Sequence, residues 1–279
     1  MYRCRAIIFF LSPLLVCADP AIDLGDFFFN LGDFSQAITE YRRFLFFNPD
    51  ASESAEISYK IGLAYRSDQL WNQAIQSMNS ASQRTKDLEF RSKIQIDLAV
   101  TYLTSNQPNL ALLKLINVLS QPISSQLYKH ALFLKGIAEI YLFNWEEARS
   151  TFKTYFGDTS RFHQINVIIS QAIKSPRKSG SVAKTLSTIL PGSGQIYASN
   201  WTDGFNALVL SGLLGYTSFS VARSGNYRDA SFLTLFLWIR YYLGNRNNAE
   251  KTAHQINRNQ DLAFAQLILE ELQATWNER

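Results

Sequence analysis

Ser193 is the residue of this chain that most invites a reading as a nucleophile, because Gly192 and Gly194 flank it. A serine between glycines becomes reactive when a strand delivers it to a sharp turn ahead of a helix. Here the preceding stretch, residues 182–190, is lysine-bearing and helical in pattern, and Leu190-Pro191-Gly192 reads as a turn. His130, His163 and His254 are scattered, with no cysteine or carboxylate pair at ligand spacing, so no metal site is indicated. Neither a phosphate loop nor a dinucleotide fingerprint is present, which leaves no cofactor motif. Glu146-Glu147 reads as a solvated helix face. With no catalytic set and no small-molecule site evident, the chain is expected not to be an enzyme.

What the chain does carry is a repeat. Gly25 is followed twelve residues later by Ala37, Gly62 by Ala74, Ala99 by Ala111 and Gly136 by Ala148, each pair 37 residues after the last. Two successive helices need a small residue on each side to pack closely back to back. Larger positions recur in the same frame: Phe28, Tyr65 and Tyr102, then Tyr41, Met78, Leu115 and Phe152. Spacing held over four units is an internal repeat.

Leu24-Gly25, Phe28, Gly32, Phe34, Ala37, Tyr41 and Pro49 resemble the tetratricopeptide repeat, a helix-turn-helix unit. Ile61-Gly62, Tyr65, Trp71, Ala74, Met78 and Ala81 resemble it as well. The third unit has Ala99 for glycine and Pro108 near its turn, and the fourth puts Glu139 at the aromatic position. The resemblance covers residues 19–158 and implies an all-α, right-handed solenoid whose first helices line a concave groove. Carried over position by position, that groove is Ile22, Asp26, Phe29, Tyr59, Leu63, Arg66, Ile96, Val100, Leu103, Phe133, Ile137 and Ile140. It is mostly apolar, and Arg66 alone offers a cation for a terminal carboxylate. Such a groove suits an amphipathic helix of another protein or peptide, or a later helix of this chain.

Composition sets the outer limits. The 279 residues are 47% hydrophobic and 14% aromatic, as expected of a folded chain. Residues 1–18 have the layout of a secretory signal peptide: Arg3 and Arg5, an apolar stretch, then Val16-Cys17-Ala18 before Asp19. Leu14-Leu15-Val16-Cys17 is similar to a lipid-attachment site, from which bulky Val16 departs. Removing Arg3 and Arg5 takes the formal net charge from +4 to +2, no electrostatic footprint for nucleic acid. Cys4 and Cys17 are the only cysteines, so the processed chain would depend on packing and not on disulfides.

Beyond the repeats, residues 159–174 read as a capping helix, and Ser175 to Ser181 as a basic linker and domain boundary. Pro191, Gly192, Gly194, Gln195 and Tyr197 form a Pro-Gly-x-Gly-Gln-x-Tyr stretch. It resembles a motif of bacterial membrane proteins that precedes a pair of hydrophobic helices and a later Tyr-Leu-Gly-Asn, here residues 242–245. The uncharged run 205–222 is just long enough to span a bilayer core, and a second run follows at 230–243. Asn206, Ser211, Thr217, Ser218 and Ser220 dilute the first run, which leaves open a compact soluble domain. Lys184, Arg246, Lys251 and Arg258 outside the hairpin, against Arg223 and Arg228 within it, weakly place the outer flanks in the cytoplasm. The leader implies the opposite and carries more weight. Residues 244–279 read as amphipathic helices, the last opened by Asp261 with Leu262, Phe264, Leu267, Ile268 and Leu272 as its stripe.

The expectation is an exported envelope scaffold on the periplasmic side, binding a protein or peptide through the groove and held at a membrane by residues 182–243. A transport or channel accessory whose hairpin does the work, or a wholly soluble periplasmic scaffold, are the alternatives.

Overall fold

The computed structural model describes residues 20–277, with side chains to residue 274, so the expected signal peptide lies outside the described residues. The fold is all-α. The chain divides into two compact units, one running to Leu142 and the other from Phe143.

The first unit is a solenoid of antiparallel helix pairs. It comprises α1 (Pro20–Asn30), α2 (Phe34–Phe47), α3 (Ser54–Ser67), α4 (Trp71–Arg84), α5 (Leu88–Thr104), α6 (Pro108–Leu119) and α7 (Ser125–Tyr141). Each helix packs on its chain neighbours, and α5 also meets α7. That is the nearest-neighbour packing of a repeat array. The helix starts are local: Asp33 accepts a hydrogen bond from the Gln36 amide, Asp87 from Glu89 and Ser124 from Leu127, while Pro108 takes the first position of α6.

The 37-residue frame is written into the backbone as well as the side chains. The turn inside each pair has one residue with positive φ: Gly32 at 80°, Gln69 at 58°, Asn106 at 59° and Phe143 at 59°. A methyl group at Gly25 would stand 2.5 Å from the Tyr41 ring, and one at Gly62 would stand 2.5 Å from Met78 Cγ. The third unit tolerates Ala99 because the facing residue is Leu115, shorter than Tyr41 or Met78, and both are fully buried in one cluster. Tight approach thus selects the small residue, and the size of its partner sets how small it must be. The fourth sequence repeat is divided, with α7 closing the first unit and α8 opening the second.

The second unit contains α8 (Trp145–Phe156), α9 (Ser160–Lys174), α10 (Gly180–Ile189), α11 (Ser193–Tyr197), α12 (Trp201–Arg223) and α13 (Tyr227–Phe232). A π-helical turn (Leu233–Trp238) then leads into α14 (Ile239–Asn277). Thr159 caps α9 by accepting from the Phe162 amide, and Phe162, Ile165, Ile169 and Ala172 are the buried face of that helix.

The unit boundary falls at Leu142, not at 175–181. That basic stretch is pinned inside the second unit. Arg177 makes a bidentate pair with Asp261 at 2.7 and 2.9 Å, and Lys178 exchanges hydrogen bonds with the Asn257 amide at 2.8 Å. Asp261 also accepts from the Trp145 indole at 3.4 Å. It is therefore the buried anchor of α14 and not a helix start. Tertiary pairing here overrides the local preference of aspartate for helix ends. Consequently α14 passes through Gly244 and Asp261 unbroken. Of the expected tail stripe Ile268 and Leu272 are buried, whereas Leu262 and Leu267 are exposed.

Candidate functional site

The twelve groove positions do not behave as one surface. Tyr59, Ile96 and Ile140 are buried core, and the others are half-buried. Phe29 packs edge-on against Phe34, 5.4 Å between ring centroids. Three polar members are engaged between neighbouring repeats. The Asp26 carboxylate accepts from the Tyr41 hydroxyl at 2.5 Å and from Lys60 Nζ at 2.8 Å. Asp97 accepts from the Tyr59 hydroxyl at 2.6 Å and from Arg66 Nη1 at 3.0 Å. Arg66 is thus an internal tie, not a free cation for a partner's carboxylate. Leu63, Val100, Leu103, Phe133 and Ile137 leave an apolar, half-buried strip on the first helices.

The same ties make the solenoid sensitive to alkali. Burial, then the hydrogen bond to Asp26, raises the Tyr41 hydroxyl far above its ordinary range, and burial and Asp97 do the same for Tyr59. Phenols titrate near about 10 in the unfolded chain. A raised folded value means that their contribution is whole below that pH and is lost as pH rises through the folded values. We expect the first unit to lose stability above about pH 10, and Tyr41→Phe with Tyr59→Phe to flatten that loss. Denaturant midpoints followed across alkaline pH provide the check; an unchanged slope in the double variant would contradict the assignment.

In the second unit the Pro-Gly-x-Gly-Gln-x-Tyr stretch is a knot where four helices meet. Gly192 caps α11 at φ 94°, a conformation that favours glycine, and a methyl there would lie 2.0 Å from the Gly204 carbonyl oxygen. A methyl on Gly194 would lie 2.0 Å from the Ala183 oxygen. Gln195 is fully buried, accepts from Ser187 Oγ at 3.0 Å, and donates to the Asn245 backbone and side-chain oxygens. Ser187 Oγ in turn accepts from the Gly194 amide at 3.0 Å. Tyr197 accepts from the Ser179 amide at 3.2 Å, beneath Lys178, whose Nζ stands 4.9 Å from the ring centroid. Pro191 is half-buried at the turn. The Ser193 hydroxyl donates to the Leu190 carbonyl at 2.7 Å, closing the turn ahead of α11. Beside the knot, Lys184 bonds Glu250 at 2.7 Å and holds that carboxyl below its ordinary range.

From the knot springs a hairpin whose sidedness is reversed. On α12 the buried residues are Gly204, Ala207, Ser211 and Ser218, all small. Phe205, Val209, Leu210, Leu213, Tyr216 and Phe219 point outward, 42–70% exposed. On the returning arm Ala230 is buried, Phe232 and Leu235 are exposed, and Phe236 and Leu237, also exposed, border the cleft between the arms. Trp238 crosses between the arms and donates to the Ser211 carbonyl at 3.2 Å. Thr217 returns its hydroxyl to the Leu213 and Leu214 carbonyls, so an outward polar residue is satisfied within its own helix. Among the described residues α12 is the one helix long and apolar enough to cross a membrane, at 23 residues and a mean hydropathy of 1.3.

No known protein family and no curated protein matches the chain. Among solved structures, a tetratricopeptide repeat protein from Parabacteroides merdae ATCC 43184 is similar at 16% identity and a TM-score of 0.47, over 89% of this chain and 97% of that one. The fold reading rests on the helix pairs themselves. Among the described residues no group of histidine, cysteine and carboxylate side chains could hold a metal ion.

Two features escaped sequence reasoning. One is the exposed row Leu110, Leu113 and Ile116 on α6, detectable from the largely apolar character of Pro108–Leu119. The other is a cleft of about 630 Å³ between α12 and the returning arm, lined by polar and apolar residues together.

Proposed function

We propose that the protein is a non-enzymatic scaffold of a cell envelope, exported, with its hairpin in a membrane and its repeat unit binding another protein or peptide. The observation that carries the membrane half is the reversed sidedness of α12. Leaving a Val, Leu or Phe side chain in water forgoes about 1.5–3 kcal/mol relative to burial. Five such residues on α12, Phe205, Val209, Leu210, Leu213 and Phe219, amount to on the order of 10 kcal/mol, as much as the whole stability of an ordinary domain. In lipid that penalty vanishes. Small residues facing a partner helix and large ones facing outward are what packing in a bilayer requires, where helices gain by close approach and not by hiding apolar surface. At about 1.5 Å per residue the 23 residues of α12 reach roughly 34 Å, enough for a hydrocarbon core of about 30 Å.

The partner half is supported by the repeat unit. Stacked helix pairs offer a long ladder of side chains, and its half-buried apolar strip suits an amphipathic helix. Affinity capture from envelope extracts with the full chain should retrieve one dominant protein. Phe29→Asp and Ile137→Asp should abolish that capture while helicity is kept. Undiminished capture by both variants would move the binding surface elsewhere.

A further inference from the structure

The cleft between the hairpin arms has an ordered chemistry. Trp238 bonded to Ser211 fixes the level of the two antiparallel arms. Asp203, at the start of α12, therefore lies at the end of the cleft nearest the knot, Arg240 lies further along the arms, and Leu214, Phe236 and Leu237 lie nearest the hairpin turn. Asp203 and Leu214 are eleven residues apart, roughly 16 Å of helix and about the depth of one leaflet's acyl region. Among the described residues Arg240 has no ion pair, and Asp203 has one short bond, from Asn200 Nδ2 at 2.8 Å. A π-helical turn, a feature that gathers at functional sites, supplies the apolar wall.

Along the arms from the knot, the cleft presents a carboxylate, a guanidinium and then an apolar wall. A phospholipid with a primary ammonium headgroup presents ammonium, phosphate and acyl chain in the same order. We propose that this cleft binds one phosphatidylethanolamine-type lipid, its ammonium on Asp203, its phosphate on Arg240, and an acyl chain along Leu214, Phe236 and Leu237. An anionic lipid would satisfy Arg240 but set its charge against Asp203. The inference rests on the membrane reading of the hairpin.

The test uses the full chain. Flotation with vesicles comes first, followed by lipid retention measured by native mass spectrometry from dodecyl maltoside. Dioleoyl-phosphatidylethanolamine, dioleoyl-phosphatidylglycerol and acyl-free glycerophosphoethanolamine are added in parallel. The ethanolamine lipid should be retained about tenfold better than the other two, and R240Q and D203N should each remove about tenfold of that retention. D203N should also erase the discrimination against the glycerol lipid. Flotation with equal retention of both lipids, or with retention untouched by R240Q and D203N, overturns the lipid site alone. Equal binding of the acyl-free headgroup overturns the lipid in favour of a soluble ligand. Failure to float with any vesicle overturns both the site and the membrane reading beneath it.

Discussion

Leu213→Asp should shift the protein from the membrane to the soluble fraction by roughly a hundredfold in partition. Leu213 is 56% exposed and sits midway along α12. Were that face in water, an aspartate there would be an ordinary surface substitution, worth within about 0.5 kcal/mol. At bilayer depth the same change removes a favourable leucine and adds a carboxylate, together about 3 kcal/mol against insertion. The two environments thus differ by two orders of magnitude for one side chain. Gln171→Asp, on the exposed face of α9, is the matched control and should leave partition unchanged. An insertion level for Leu213→Asp equal to that of the unsubstituted chain would place the outer face of α12 in water.

Gly192→Ala should cost the second unit on the order of 4 kcal/mol, enough to unfold it at ambient temperature. Two separate terms contribute. Alanine at φ 94° is strained by about 1–3 kcal/mol, and its methyl would meet the Gly204 carbonyl at 2.0 Å, so α11 and α12 must part. Gly225, in the turn between the hairpin arms, isolates the first term. Its φ is 86° but nothing lies within 4 Å of an added methyl, so Gly225→Ala should cost only about 1 kcal/mol. Denaturant unfolding followed by tryptophan emission distinguishes the pair. Equal costs would mean that the knot yields easily and that close packing of Gly192 on Gly204 is not what holds the hairpin.

The legible parts of the fold are those where one local cause acts alone. The pairing of Gly25 with Ala37, repeated every 37 residues, states that helices must touch, and the structure adds only what each small residue faces. Gly32 and Asn106 announce their left-handed turns. Gln69 and Phe143 occupy the same turn position against their own preference, so only the frame and not the residue betrays them. Asp261 read as a helix start because nothing in its neighbourhood mentions Arg177, 84 residues away. Arg66 looked free for the same reason, its partner Asp97 lying one repeat further on. In the glycine motif the turn was readable, but the role of Gln195 as the buried centre was not, since its partners Ser187 and Asn245 come from α10 and α14. The serines of α12 looked like dilution of an apolar run. Their spacing held the information: Ser211 and Ser218 share the inner face with Gly204 and Ala207, while Ser220 is turned out.

The central claim, that the hairpin belongs in lipid, is tested most directly by carbonate extraction of membranes carrying the full chain beside a version ending at Leu142. The cut falls at the unit boundary because α9 packs on α14, so a cut at Lys174 would tear the second unit. The account predicts the full chain in the membrane pellet and the shortened chain in the supernatant. A full chain released by carbonate and stable in buffer without detergent would contradict it, and would leave the reversed face of α12 as a surface for protein and not for lipid.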